Sequence, residues 1–294
     1  CSYIVHIHRL FSSLSLPIAI EVYSKRRPSY SCRQMEWEEI VSKSSSLSVE
    51  LTDGIAVLTL DRPDKRNAVD GPLIAEIEDF FSDPPEAARV VVLTGAGDHF
   101  CAGLDIAELK VMGAAEAQAT SRAWHRTTEK IQFGALPVVA VMKGMVLGGG
   151  LEIAASTHVR VAEPSTYYQL PEVGLGIFPG GGASVRVSRI VGAGRAVEMM
   201  LTARRISADE GQTLGLSHHL VGGGEGLDTA MKFAGRIAKN PPFANTTIIN
   251  AVPRIAEMSI SDGLFSESMA TALTQVSDEA QSRVKGFLDK RGGS

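Results

Sequence analysis

Hydrophobic and polar positions alternate in two short runs over residues 47–61, LSVELTDGIAVLTLD, with Asp53-Gly54 between them. Period-two alternation marks half-buried strands, and Asp-Gly favours the left-handed backbone of a tight turn, so a hairpin is predicted to open the fold. After Arg62-Pro63 and the turn-prone stretch Asp64 to Asn67 the period changes: Leu73, Ile77 and Phe80 or Phe81 recur at helical spacing, up to Ser82-Asp83-Pro84-Pro85. Val90 to Thr94 and Pro137 to Met142 are unbroken apolar runs, as expected of buried strands, and each runs into glycines, at Gly95 to Gly103 and at Gly144 and Gly148-Gly149-Gly150. A helical region from about Ala114 to Phe133 lies between them. Val159 to Ala162 reads as a further strand, and Gly180-Gly181-Gly182 opens a helix toward Ile190. From Ala196 onward the pattern is mainly helical, with Gly222-Gly223-Gly224 as a surface loop. Alternating strands and helices followed by helices predict an α/β fold with a helical tail.

Composition narrows the class. The 294 residues are 44% hydrophobic and 21% charged, enough to bury a sizeable core. A formal charge of -4 offers no basic field for nucleic acid, so no nucleic-acid partner is expected. Cys1, Cys32 and Cys101 have neither disulfide nor metal spacing, which argues for a reducing compartment and against a structural zinc. No apolar run approaches the roughly 18 to 20 residues of a spanning helix, so no membrane segment is expected.

Residues 1–34 differ from the rest: Arg9, Lys25, Arg26, Arg27 and Arg33 face a single acid, Glu21, and the first methionine is Met35. This stretch is read as a leader or non-native extension that packs poorly. Its acid-poor, Arg- and Ser-rich composition is that of a mitochondrial transit peptide, against an otherwise cytoplasmic expectation.

A glycine run lets backbone N–H groups approach a ligand without an intervening side chain. None of these runs has the strand-turn-helix context of GxGxxG, none is followed by Lys-Ser/Thr, and GxSxG is absent, so dinucleotide, P-loop and serine-hydrolase chemistry are poorly supported. What the turns contain is Phe100-Cys-Ala-Gly-Leu-Asp-Ile106, then Gly148-Gly-Gly-Leu-Glu152, then Leu170-Pro-Glu172 followed by Gly176-Ile-Phe-Pro-Gly-Gly-Gly182.

In that order and spacing the motifs resemble the crotonase superfamily of enoyl-CoA hydratases and isomerases, with the likeness running from about Val49 to the C-terminus. The resemblance implies a spiral of ββα units over 35–230 and a C-terminal helical region over 231–294 used for assembly, a homotrimer or a dimer of trimers. It implies that the amides of Leu104 and Gly149 receive the thioester oxygen, where one such donor is worth about a hundred- to a thousandfold in rate. Glu152 and Glu172 would hold the attacking water between them as general base and acid, each contributing roughly 10²- to 10⁴-fold. The amide of Gly180 would also meet that water. The coenzyme A of an acyl-CoA substrate would be framed by Lys65, Arg66, Ala68, Ala102, Asp105 and Ile106, and by Phe287 and Lys290 of an adjacent subunit. No metal and no separate cofactor are implied. Isomerases of the family commonly keep only the counterpart of Glu172, so Glu152 tilts the expectation toward hydration; the alternatives are double-bond isomerisation and a non-catalytic acyl-CoA-binding relative.

Other residues have blander readings. Cys101 beside the first motif is expected to be packing rather than a nucleophile. His158 stands where the family usually has Asp and is read as structural, and Ala183-Ser-Val-Arg186 replaces the usual Gly-Thr-Gln-Arg. Trp124 and Tyr167-Tyr168 are read as core or interface rather than acyl pocket, and Arg204-Arg205 as a solvated turn.

Overall fold

The computed structural model describes residues 40–43 and 46–292, and the expected leader lies outside the described residues. A first sheet starts as a meander of β1 (Ile40–Lys43), β2 (Leu47–Thr52) and β3 (Ile55–Leu60), antiparallel throughout. The β2–β3 turn has Asp53 at φ 52° and Gly54 at φ 77°, both left-handed, as its sequence predicts. Helix α1 (Gly71–Ser82) follows, started by Asp70, whose side chain accepts the Leu73 amide. Then come β4 (Val90–Gly95), α2 (Ala114–Phe133), β5 (Val138–Met142), β6 (Met145–Leu147), α3 (Gly149–Ala155), β7 (Val159–Ala162), β8 (Tyr167–Gln169) and α4 (Ala183–Val191). After α5 (Ala193–Thr202) lie β9 (Ile206–Ser207), α6 (Ala208–Thr213), β10 (His219–Leu220) and α7 (Gly226–Ala238). The chain ends in α8 (Pro242–Ile255), α9 (Ile260–Gln275) and α10 (Asp278–Gly292).

The main sheet has the order β1-β2-β3-β4-β5-β7-β10, parallel from β3 onward, and β6-β8-β9 form a second small sheet. Two strands and a helix recur as β2-β3-α1, β5-β6-α3 and β7-β8-α4, the spiral of ββα units expected from the sequence. Because successive side chains in a strand point to opposite faces, Val90, Val92, Val139, Val141 and Val161 pack on one side against Ala230 and Ala234 of α7. On the other side Leu58, Leu93, Val138 and Met142 join the larger core with α1, Trp124 and Tyr168. The expected boundary between residues 230 and 231 therefore falls inside a helix that belongs to the sheet core, and the helices standing away from the sheet begin with α8. Among the described residues, no helix is long and apolar enough to cross a membrane.

Candidate active site

Two glycine-rich segments meet beneath the small sheet. After β4 the chain returns along β6: the Cys101 amide donates to Met145 O at 2.9 Å and the Leu147 amide to Cys101 O at 3.1 Å. Gly103 then adopts φ 92°, and a Cβ there would lie 2.8 Å from Leu147 O and 3.3 Å from Gly149 N, so only glycine lets the two segments close on each other. Leu104 and Gly149 are thereby brought together. Among the described residues, neither amide donates to a backbone carbonyl, which leaves both free for an external oxygen. The ring of Trp124 closes over Gly149, at 2.5 Å from where its Cβ would be.

Glu152, in the first turn of α3, is 4% exposed. One oxygen, Oε1, accepts the amides of Gly181 at 2.8 Å and Ala183 at 2.9 Å. Burial pushes this carboxyl above the usual range, opposed by those two amides and by the charges of His125 and Arg186. Glu172 opens a 3-10 turn behind Pro171, and its Oε1 abuts Gly148, 2.8 Å from where a Cβ would stand. Its Oε2 is buried and has no hydrogen-bond partner among the described residues. Burial first, and the Glu152 charge in addition, push Glu172 up to about 7 despite a backbone hydrogen bond that lowers it. The two carboxylates are thus electrostatic neighbours in different settings, one held by amides and the other with an oxygen left over.

Gly180, expected to meet the water, is exposed; its carbonyl accepts Ser121 Oγ at 2.6 Å, and the amides that hold Glu152 belong to the two residues flanking Gly182 instead. The expected coenzyme A frame is compact. Ala68 donates to Lys65 O at 3.1 Å, Ala102 to Arg66 O at 3.0 Å, and Asp105 to Val69 O at 2.8 Å, while Ile106 is 78% exposed. The Ala107 amide, and after it Arg62, hold the Asp105 carboxyl below its ordinary range. Arg62 and Asn67 were not singled out by the motifs. The Arg62 guanidinium pairs with both Asp70 and Asp105 at 2.9 Å, and buried Asn67 donates to Ala96 O and His99 O. Their signal is a polar residue in a turn, too common to stand out. Phe287 and Lys290 lie on α10, and no hydrogen bond, ion pair or ring contact links them to these loops among the described residues.

The remaining readings resolve individually. His158 Nδ1 accepts the Val138 amide at 2.9 Å and its Nε2 faces Gln132 O at 3.0 Å, a neutral ring filling the place of the usual Asp; burial lowers its proton affinity. Burial pushes the Cys101 thiol up to about 12, which removes it as a nucleophile. Tyr168 is fully buried in the core and Arg205 stacks on Tyr167. Arg204 is not merely solvated: it pairs with Glu198 and Glu210 at 2.6 Å. No group of three His, Cys, Asp or Glu side chains among the described residues is placed to hold a metal.

Residues 50–293 match the family model for enoyl-CoA hydratase/isomerase. The chain belongs to the enoyl-CoA hydratase/isomerase family. Within that family it is 33% identical over 250 residues to the short-chain-enoyl-CoA hydratase of Clostridium acetobutylicum, covering 84% of this chain and 96% of the relative. The crotonyl-CoA hydratase of Syntrophomonas wolfei gives the same identity and coverage. Among solved structures, an enoyl-CoA hydratase from Bacillus anthracis superposes with a TM-score of 0.78 at 30% identity, covering 84% of this chain and 97% of that one. A protein from Rhodopseudomonas palustris, provisionally assigned as an enoyl-CoA hydratase, superposes at 0.82 with 44% identity over 85% of this chain and 96% of its own.

Proposed function

We propose that this chain is an enoyl-CoA hydratase that adds water across the 2,3 double bond of a 2-enoyl-CoA to give a 3-hydroxyacyl-CoA. The observation that carries the reading is the pair of unlike carboxylates beside two free amides. Glu152, held by the amides of Gly181 and Ala183, acts as the base in its ionised form and takes a proton from water as the water oxygen bonds to C3. The electron pair of the double bond moves toward the thioester, whose oxygen gains negative charge and is met by the amides of Leu104 and Gly149. Glu172, retaining its proton near neutrality, delivers it to C2. The proton that Glu152 takes from water replaces the one that Glu172 gives to C2, so water is consumed whole with no electron lost or gained, and the scheme calls for no redox cofactor. The loops carrying Lys65, Arg66, Ala68, Ala102, Asp105 and Ile106 frame the coenzyme A, and Phe287 and Lys290 reach it from a neighbouring subunit.

The test is loss of enoyl absorbance when purified protein meets crotonyl-CoA. Turnover with formation of 3-hydroxybutyryl-CoA supports hydration. A folded protein that hydrates no enoyl-CoA but moves the double bond of a 3-enoyl-CoA would make it an isomerase using Glu172 alone. One that binds acyl-CoA and does neither would make it a binding relative.

A further inference from the structure

The turn that holds Glu152 is itself gripped from behind. Gly181 offers its amide to Glu152, while its carbonyl accepts Thr128 Oγ1 at 3.3 Å and lies 3.5 Å from Arg186 Nη1. Arg186, on α4, reaches across to α2, donating through Nη1 to Thr128 Oγ1 at 3.1 Å and through Nε to Gln132 Oε1 at 2.7 Å. Gly182 sits at φ 117°, and a Cβ there would be 2.2 Å from Arg186 Nη1, so the guanidinium occupies the space beside the turn. A planar fork with fixed donor directions suits this bridge, and a lysine ammonium does not reproduce it.

We propose that Arg186 is a positioning residue for hydration: by tying Thr128, Gln132 and the Gly181 carbonyl together, it fixes the turn whose amides aim at Glu152 and sets a positive charge behind that carboxylate. This rests on the hydratase reading. The groups whose charges bear on Glu152 are His125 from α2, Arg186 from α4 and Glu172 from the 3-10 turn; those bearing on Arg186 are Glu129 from α2 and Glu152 from α3. Arg186 also lines a cavity of about 840 Å³ between α2, α4 and α8, together with His125, Gln132, Arg189, Val252 and Arg254. Small cations from solvent can therefore reach the place of a truncated side chain.

The experiment is crotonyl-CoA hydration by wild type, Arg186→Ala and Arg186→Lys across pH, with guanidinium chloride compared against sodium chloride at equal millimolar concentration. Arg186→Ala is expected to lose about a hundredfold in kcat, the order of effect that small misplacement of a catalytic group produces. Its KM should move less than about threefold, since the residue does not touch substrate. The acid limb of kcat, which needs Glu152 ionised, should move up with the loss of a neighbouring positive charge. Guanidinium, and not sodium, should restore much of the rate. Arg186→Lys should keep the limb in place and still lose about tenfold in kcat, because it retains the charge without the fork. An unmoved acid limb or an absent guanidinium response in Arg186→Ala overturns the assignment. Where Arg186→Ala does not fold, Arg186→Lys decides: wild-type kcat overturns the assignment and the loss with an unmoved limb supports it. Absence of turnover by wild type overturns the hydratase reading and this assignment together, whereas turnover with an indifferent Arg186 overturns only the latter.

Discussion

Glu172 shows how one side chain carries opposing demands. Its Oε2 is buried without a partner among the described residues, and its folded carboxyl titrates at about 7 against an ordinary 4.5. Because the folded state binds this proton more tightly than the unfolded chain, stability falls as pH rises from about 4.5 to about 7, and the deficit persists above that. Glu172→Gln removes the charge that must be desolvated and keeps the shape. It should melt higher than wild type at pH 8, with the advantage gone near pH 4, while hydration drops by about 10²- to 10⁴-fold. Thermal melts at the two pH values check this. A change in stability that is equal at both would mean that the Glu172 carboxyl is not shifted by folding, and its role as the acid would lose its basis.

At the scale of elements, the start of α1 links a helix cap to the loop that carries Asp105. Asp70 accepts the Leu73 amide at 2.9 Å through one oxygen and pairs with Arg62 at 2.9 Å through the other, and Arg62 also holds Asp105. Asparagine caps nearly as well as aspartate but carries no charge, so Asp70→Ala should be less stable than Asp70→Asn by about 1 kcal/mol in urea unfolding. Equal stability of the two variants would show that the cap contributes nothing and that only the ion pair matters. The same stretch shows what was legible beforehand. The hairpin and α1 follow from periodicity and the parallel strands from unbroken apolar runs, while the two glutamates stand out only through the resemblance of their glycine-flanked motifs to a known family. Strands β9 and β10 are two residues each, too short for any period to declare them. The partners of Glu152 are Gly181 and Ala183 because Gly182 turns left-handed at φ 117° around the Arg186 guanidinium, a tertiary fit that no spacing along the chain announces. His158 behaved in the same way: its place in the motif was visible, and its neutral double hydrogen bond was not.

Over the whole molecule, the apolar surface is uneven. On α9, Phe265, Met269 and Leu273 recur every four residues and are 68%, 50% and 57% exposed, and Val197 and Leu201 on α5 are 54% and 70% exposed. Large side chains at one helical spacing form a single stripe, and each is worth about 1.5–3 kcal/mol when fully buried. An isolated chain leaves that stripe in water; the assembly that the family resemblance implies would remove it and would bring Phe287 and Lys290 of one subunit to a neighbour's coenzyme A. We therefore expect light scattering to give a trimer or a dimer of trimers. Replacing Phe265 and Met269 together by Asp should give smaller species with an intact fold by circular dichroism and, on the proposed shared site, a raised KM for crotonyl-CoA, because Lys290 of the neighbour no longer arrives. Lys290→Ala should raise KM severalfold without changing the mass or lowering kcat more than about twofold, as expected for a group that binds substrate and transition state alike. A wild-type monomer with full activity at assay concentration would refute the shared site, and an unchanged KM in Lys290→Ala would leave assembly as a matter of stability alone.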